Sequence, residues 1–405
     1  MVDKTRSFIW FGLVNLSLVA LLGVVMRYKI EFEFPFLNQK HILHAHSHFA
    51  FSAWVSHVLY TLLVNVLKKD IKTHLLFNRI IWSNLVVSFA MLFSFLYQGY
   101  GTISITFSTL SIFIGYYFAW KYITVQKRSP SDNPSSKWFT AALIFQVLSS
   151  LGTFYLAWMM ATKNFDQSLY LGSIYFYLHF QYSGWFFFAI MGLLMVALRQ
   201  FVTFREDSRV FWSFVFACVP AFILSILWYD LPMYVLLLPI SAVILQLFGL
   251  YRLLKMVSTS WEDIKTQWSK MVIVILGLSF FALIIKLLLQ TGSVIPEMSN
   301  LAFGFRAIVI AYLHLVLLGI TTLFLLGYSV LQGYITISKT ARWSLSVFAG
   351  AVIANELVLM IQGVGSFDYI LIPYLNESLL VISVVLCLSM AFLAFSQKYI
   401  KNNDL

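Results

Sequence analysis

The sequence is built from apolar runs about twenty residues long, joined by short connectors. Twelve are counted, at approximately 7–28, 43–67, 76–98, 101–125, 138–161, 170–198, 209–229, 232–254, 268–290, 303–331, 341–363 and 377–397. At a helical rise of about 1.5 Å per residue, each run crosses a hydrocarbon core of about 30 Å. A membrane β-barrel would show ten-residue alternation instead of continuous runs. Only 11% of the 405 residues are charged and 60% are apolar, against about 25% charged in a soluble globular domain. That excludes a water-soluble enzyme, a disordered chain and a disulfide scaffold. Cys218 and Cys387 lie in separate runs and read as small packing residues. The connectors are too short for a soluble domain. The expectation is one all-α polytopic membrane domain over 1–405, with twelve transmembrane helices.

The net charge of +11 follows membrane orientation, because cytoplasmic loops collect lysine and arginine. With the N-terminus in the cytoplasm, the inner connectors hold most of the 27 basic residues, Lys68 and Lys69 among them. Arg27, Lys29, Lys40 and Lys163 stay outside, and Lys286 and Arg306 fall within helices near their outer ends. Asp230 reads as an outer helix end. The first run follows Lys4 and Arg6, but no small-residue cleavage site follows it, so it reads as a retained helix. The expectation is a multi-pass protein of a bacterial-type inner (cytoplasmic) membrane, with both termini cytoplasmic. Its partner is the lipid bilayer, and nucleic acid is not a partner.

Histidine carries the functional signal. Of eight histidines, seven lie in or just before the second, sixth and tenth runs. The second run reads HFAFSAW from His48 and the sixth reads HFQYSGW from His179. The tenth reads HLVLLG from His314, keeping the histidine and the small residue five positions on. Spacings of 131 and 135 residues give three pseudo-repeats of four helices, at approximately 7–125, 138–254 and 268–397. All three repeat histidines then sit at similar depth in helices running from outside to inside.

A strongly polar residue inside a membrane is a functional candidate, and imidazole is a common ligand of metals and haem. His41, His44 and His48 share one helical face, with His44 and His48 at the i, i+4 spacing of paired metal ligands. His46 points away, on the side of His57. The competing readings are a histidine satisfied by a backbone carbonyl, and a wet helix end for His41 and His44. His57 reads as a packed residue, and His74, in a connector, is assigned no role. Tyr177 and Tyr312 stand two positions before His179 and His314. Haem propionates need cationic partners, for which Arg306 and Lys286 are candidates. Snorkelling or pairing with Glu356 is the alternative for both.

These stretches (HAHSHFAFSAW, YLHFQYSGW and AYLHLVLLG) and the three-by-four organisation resemble subunit I of the haem–copper oxidases. That superfamily includes the nitric-oxide reductases and related nitric-oxide-response membrane proteins. The resemblance covers the whole chain in topology and only these stretches in residues. It implies twelve helices in three arcs. It implies one haem b with a helix-two histidine (His48 by the repeat, with His44 or His46 as alternatives) and His314 as axial ligands. His179 would match a copper ligand, with His44 and His48 as further copper candidates. The departures are specific. Tyr312 stands where the family has a second helix-ten histidine, and the seventh run has no histidine. Gln181 and Tyr182 follow His179 in place of the usual carboxylate or tyrosine, and the paired arginines between the last two helices are missing.

A complete haem–copper centre cannot be assembled from these residues. The leading expectation is a haem-binding membrane redox protein for electron transfer or diatomic-gas (O2 or NO) chemistry, with an electron donor or respiratory-chain subunits as partners. Oxidoreductase activity would need a second metal. The alternative is a non-catalytic protein that handles copper or haem, or assists assembly of a respiratory complex.

Overall fold

The computed structural model describes residues 2–67, 70–128, 135–229, 231–295, 298, 305–367, 370 and 372–403. Lys68, Lys69 and Asp230 lie outside the described residues. Among the described residues every regular element is helical. The main helices are α1 (Lys4–Glu31), α2 (Gln39–Val66), α3 (Ile71–Gln98), α4 (Thr102–Arg128), α5 (Ser135–Thr162) and α6 (Gln167–Leu198). They continue as α7 (Ser208–Cys218), α8 (Met233–Thr259), α9 (Lys270–Gly292), α10 (Arg306–Leu331), α11 (Lys339–Ser366) and α12 (Leu375–Lys398). All except α7 are long and apolar enough to cross a membrane. The chain is a polytopic helical membrane protein.

The seventh run departs from the single helix expected over 209–229. It is α-helical to Cys218 and continues as a 3-10 segment, Pro220–Ser225. Pro220 has no N–H, and its ring would strike the carbonyl four residues back in a continuing α-helix. The two pieces together still cover about 28 Å at their respective rises.

Capping side chains fix where the helices begin. Asn38, Asp70, Asp166, Asp207 and Ser269 each accept a backbone N–H of the first turn that follows. Asp207 also takes Arg209 and Arg252. Partial burial works against its charge, but those arginine hydrogen bonds prevail and hold its carboxyl below the ordinary range.

The chain forms two compact units, Met1–Ser129 with Thr322–Leu405, and Pro130–Thr321. In the first, α1 packs on α2 and α12, α3 lies between α2 and α4, and α11 packs on α12. In the second, α5 packs on α6, α7 on α8, and α8 on α9. The two most enclosed helices are α2 and α6, with 83% and 89% of their apolar windows buried, against 22% for α4. Val86, Phe93, Trp120, Leu151 and Phe281 are exposed on outer helix faces. Exposed apolar side chains in such numbers fit a lipid surface and not a watery one. The repeat histidines His48 and His179 thus sit on the two most enclosed helices, whereas His314 lies on the half-buried α10 and His74 in the first turn of α3.

Candidate functional site

A π-helical stretch follows each of the three repeat histidines. The stretches are Ala50–Ser56, Phe180–Phe186 and Leu315–Thr322, beginning two, one and one residues after His48, His179 and His314. A π-turn hydrogen-bonds i to i+5, is rare, and is frequently found at functional sites. Several carbonyls in these stretches are capped by side chains from neighbouring helices. Asn84 Nδ2 donates to Ser52 O at 3.0 Å and Asn15 Nδ2 to Ala53 O at 2.7 Å. Cys218 Sγ approaches Ser183 O at 3.8 Å, and Ser279 Oγ donates to Ile320 O at 2.8 Å. In a medium without water these donors prevent the cost of bare polar backbone. The small residue of the repeat also has a steric reason. A Cβ on Gly184 would lie 2.6 Å from Phe145 Cβ.

In the first unit the helix-two histidines divide between two faces. His48 Nε2 is 2.9 Å from Tyr100 Oη, and its ring stacks on Phe95 with centroids 4.4 Å apart. His44 meets Tyr100 edge-on at 4.4 Å. His41 packs against Gly99, where a Cβ would come within 2.6 Å of its ring. That glycine ends α3 at φ +62°, ψ −136°, a conformation that side chains disfavour. Ser104 Oγ closes the turn by donating to Gly99 O at 2.6 Å. Gly99→Ala is expected to lower stability by about 1–3 kcal/mol for the backbone alone, with the His41 clash in addition. Thermal unfolding in detergent checks this, and an unchanged Tm would remove the turn as a support of the histidine face.

On the other face, His46 Nδ1 is 3.0 Å from Val19 O, and the buried His57 puts Nε2 3.0 Å from Phe8 O. Both reach α1. A carbonyl only accepts, so Nδ1 of His46 carries the hydrogen and Nε2 carries the lone pair. The same logic applies in the second unit to His314, whose Nδ1 is 2.8 Å from Ile310 O. A ring N–H held by a backbone carbonyl is the usual way a ligating imidazole is oriented. His46 and His314 share this orientation, each through Nδ1. Nε2 of His48 is engaged by Tyr100. Arg306 is exposed at the first residue of α10.

His179 is fully buried in the second unit, and its Nε2 donates to Cys218 O at 2.8 Å. Lys286 does not snorkel outward. It is 4% exposed, and its Nζ donates to Ser183 Oγ at 3.2 Å. Tyr312 pairs with Tyr182, their ring centroids 6.0 Å apart. The cationic Lys286 lines the same cavity as His179 and would repel a copper ion there, although Nδ1 of His179 holds a lone pair. Among the described residues no three His, Cys, Asp or Glu side chains converge on a metal position.

The sequence reading passed over Tyr100, Asn15, Asn84 and Gln246. Polar residues inside apolar runs were the available signal for the two asparagines and Gln246. No protein-family model matches the chain, and no curated protein matches it.

Proposed function

We propose that the protein is a haem-binding membrane redox protein on the scaffold of haem–copper oxidase subunit I, serving electron transfer or diatomic-gas chemistry. Twelve crossings in three arcs, with the α7 and Pro220–Ser225 pieces together forming the seventh, belong to that reading. So do cytoplasmic termini and a bacterial-type inner membrane, which rest on the distribution of lysine and arginine. The observation that carries the proposal is the orientation of His314, whose Nδ1–H is held by Ile310 O. His46 meets the same criterion within its own unit through Val19 O. The three π-helical stretches support the repeat, since each begins within two residues of a repeat histidine. Bound haem b would supply a one-electron couple. The protein's part is to hold imidazoles in one tautomer and to surround them with apolar side chains. Arg306 is the proposed propionate partner, because Lys286 is committed to Ser183. The test is a reduced-minus-oxidised visible spectrum of protein purified from haem-replete cells. A sharp low-spin b-type α band is expected, and a colourless preparation overturns the proposal.

A further inference from the structure

Lys286 projects from α9 into the interior of the second unit, and among the described residues no carboxylate pairs with it. An ammonium group has three donors. One goes to Ser183 Oγ, and the Phe187 ring lies 5.9 Å from Nζ. Two buried acceptors beside it have no partner, His179 Nδ1 and Gln246 Oε1. His179 Nε2 must donate to Cys218 O, so Nδ1 holds a lone pair. Lys286, His179, Gln246, Ser183 and Cys218 line one small cavity, walled by phenylalanines, with room for about one water. A water accepting from Lys286 and donating to His179 Nδ1 and Gln246 Oε1 satisfies both orphaned acceptors.

We propose that this cavity is a water-bridged protonation site, in which one excess proton is shared between the Lys286 amine and the His179 imidazole through a single water held by Gln246. In one state Lys286 is an ammonium and His179 is neutral. In the other, Lys286 has given a proton to the water and the water has given one to Nδ1. The amine is then neutral, and the imidazolium donates from Nε2 to Cys218 O and from Nδ1 to the water. Charge and protons balance, and no other reactant enters. The titratable groups facing Lys286 are His179 from α6 and Cys218 from α7, while α8 contributes Gln246, which does not titrate. The site is separate from the haem reading and survives its failure.

The test is solid-state NMR of the full-length protein in liposomes, with ring-15N histidine. His179→Asn assigns the resonances by deletion. Protonated Nε2, a hydrogen-bonded Nδ1 lone pair and a water cross-peak to the His179 ring are expected. Lys286→Met should move the Nδ1 resonance downfield as its water is lost. An Nδ1-protonated neutral ring, or an Nδ1 resonance unmoved by Lys286→Met, overturns the proposal. If Lys286→Met does not fold, the wild-type water cross-peak decides alone, and its absence overturns it.

Discussion

His314→Ala is expected to abolish the low-spin haem band of the purified protein. The imidazole is held by its own helix, Nδ1 to Ile310 O at 2.8 Å. Nothing else in α10 offers an equivalent donor atom, because Tyr312 is turned to Tyr182. The structural loss is small, about 1 kcal/mol for one hydrogen bond, so a folded protein without the band would isolate ligation from stability. His46→Ala should have the same spectral effect. His48→Ala should keep the band, since Nε2 of His48 is taken by Tyr100. His74→Ala should change nothing spectral. Loss of the band in His48→Ala with retention in His46→Ala would reverse the assignment on α2. Retention in His314→Ala would refute the haem reading of α10.

The second large effect is on packing. A Cβ on Gly152 in α5 would lie 2.5 Å from Ser173 O and 3.0 Å from Tyr177 N, both backbone atoms of α6. Backbone cannot rotate aside as a side chain does. Gly152→Leu must therefore separate two helices that meet closely because the interface residue is small. Overpacking of this kind costs about 1–3 kcal/mol or more, and for a chain of this length Tm should fall by roughly 1–4 °C. Gly277 in α9 has nothing within 4 Å of its Cβ position, so Gly277→Leu is the matched control. Equal Tm values for the two variants would show that α5 and α6 do not approach as closely as described.

The division of the helix-two histidines follows from helical periodicity alone. Residues 41, 44 and 48 recur on one face and meet Gly99, Phe95 and Tyr100, whereas His46 and His57 meet α1. The break in the seventh run was also present in the sequence, as Pro220 within an apolar stretch. Reading the run by hydropathy alone obscured it, because proline changes backbone geometry without changing apolar character. The Lys286 cavity was not readable in this way. Its Ser183 contact joins residues 103 positions apart, and Gln246 comes from a third helix. Only the packing of α6, α7, α8 and α9 decides that these side chains converge.

The sequence by itself determined the membrane setting, the helical class and the positions of the three histidines. Those follow from local rules: apolar length against bilayer thickness, and backbone groups that must be satisfied within the helix. The tertiary structure decided which nitrogen of each ring carries the hydrogen. That depends on single carbonyls, Val19 O, Ile310 O and Cys218 O, two of them on other helices. It also decided that Lys286 turns inward to a hydroxyl instead of outward to the interface. Hydrogen-bond direction is a property of assembled neighbours at about 3 Å, and no run of residues encodes it alone.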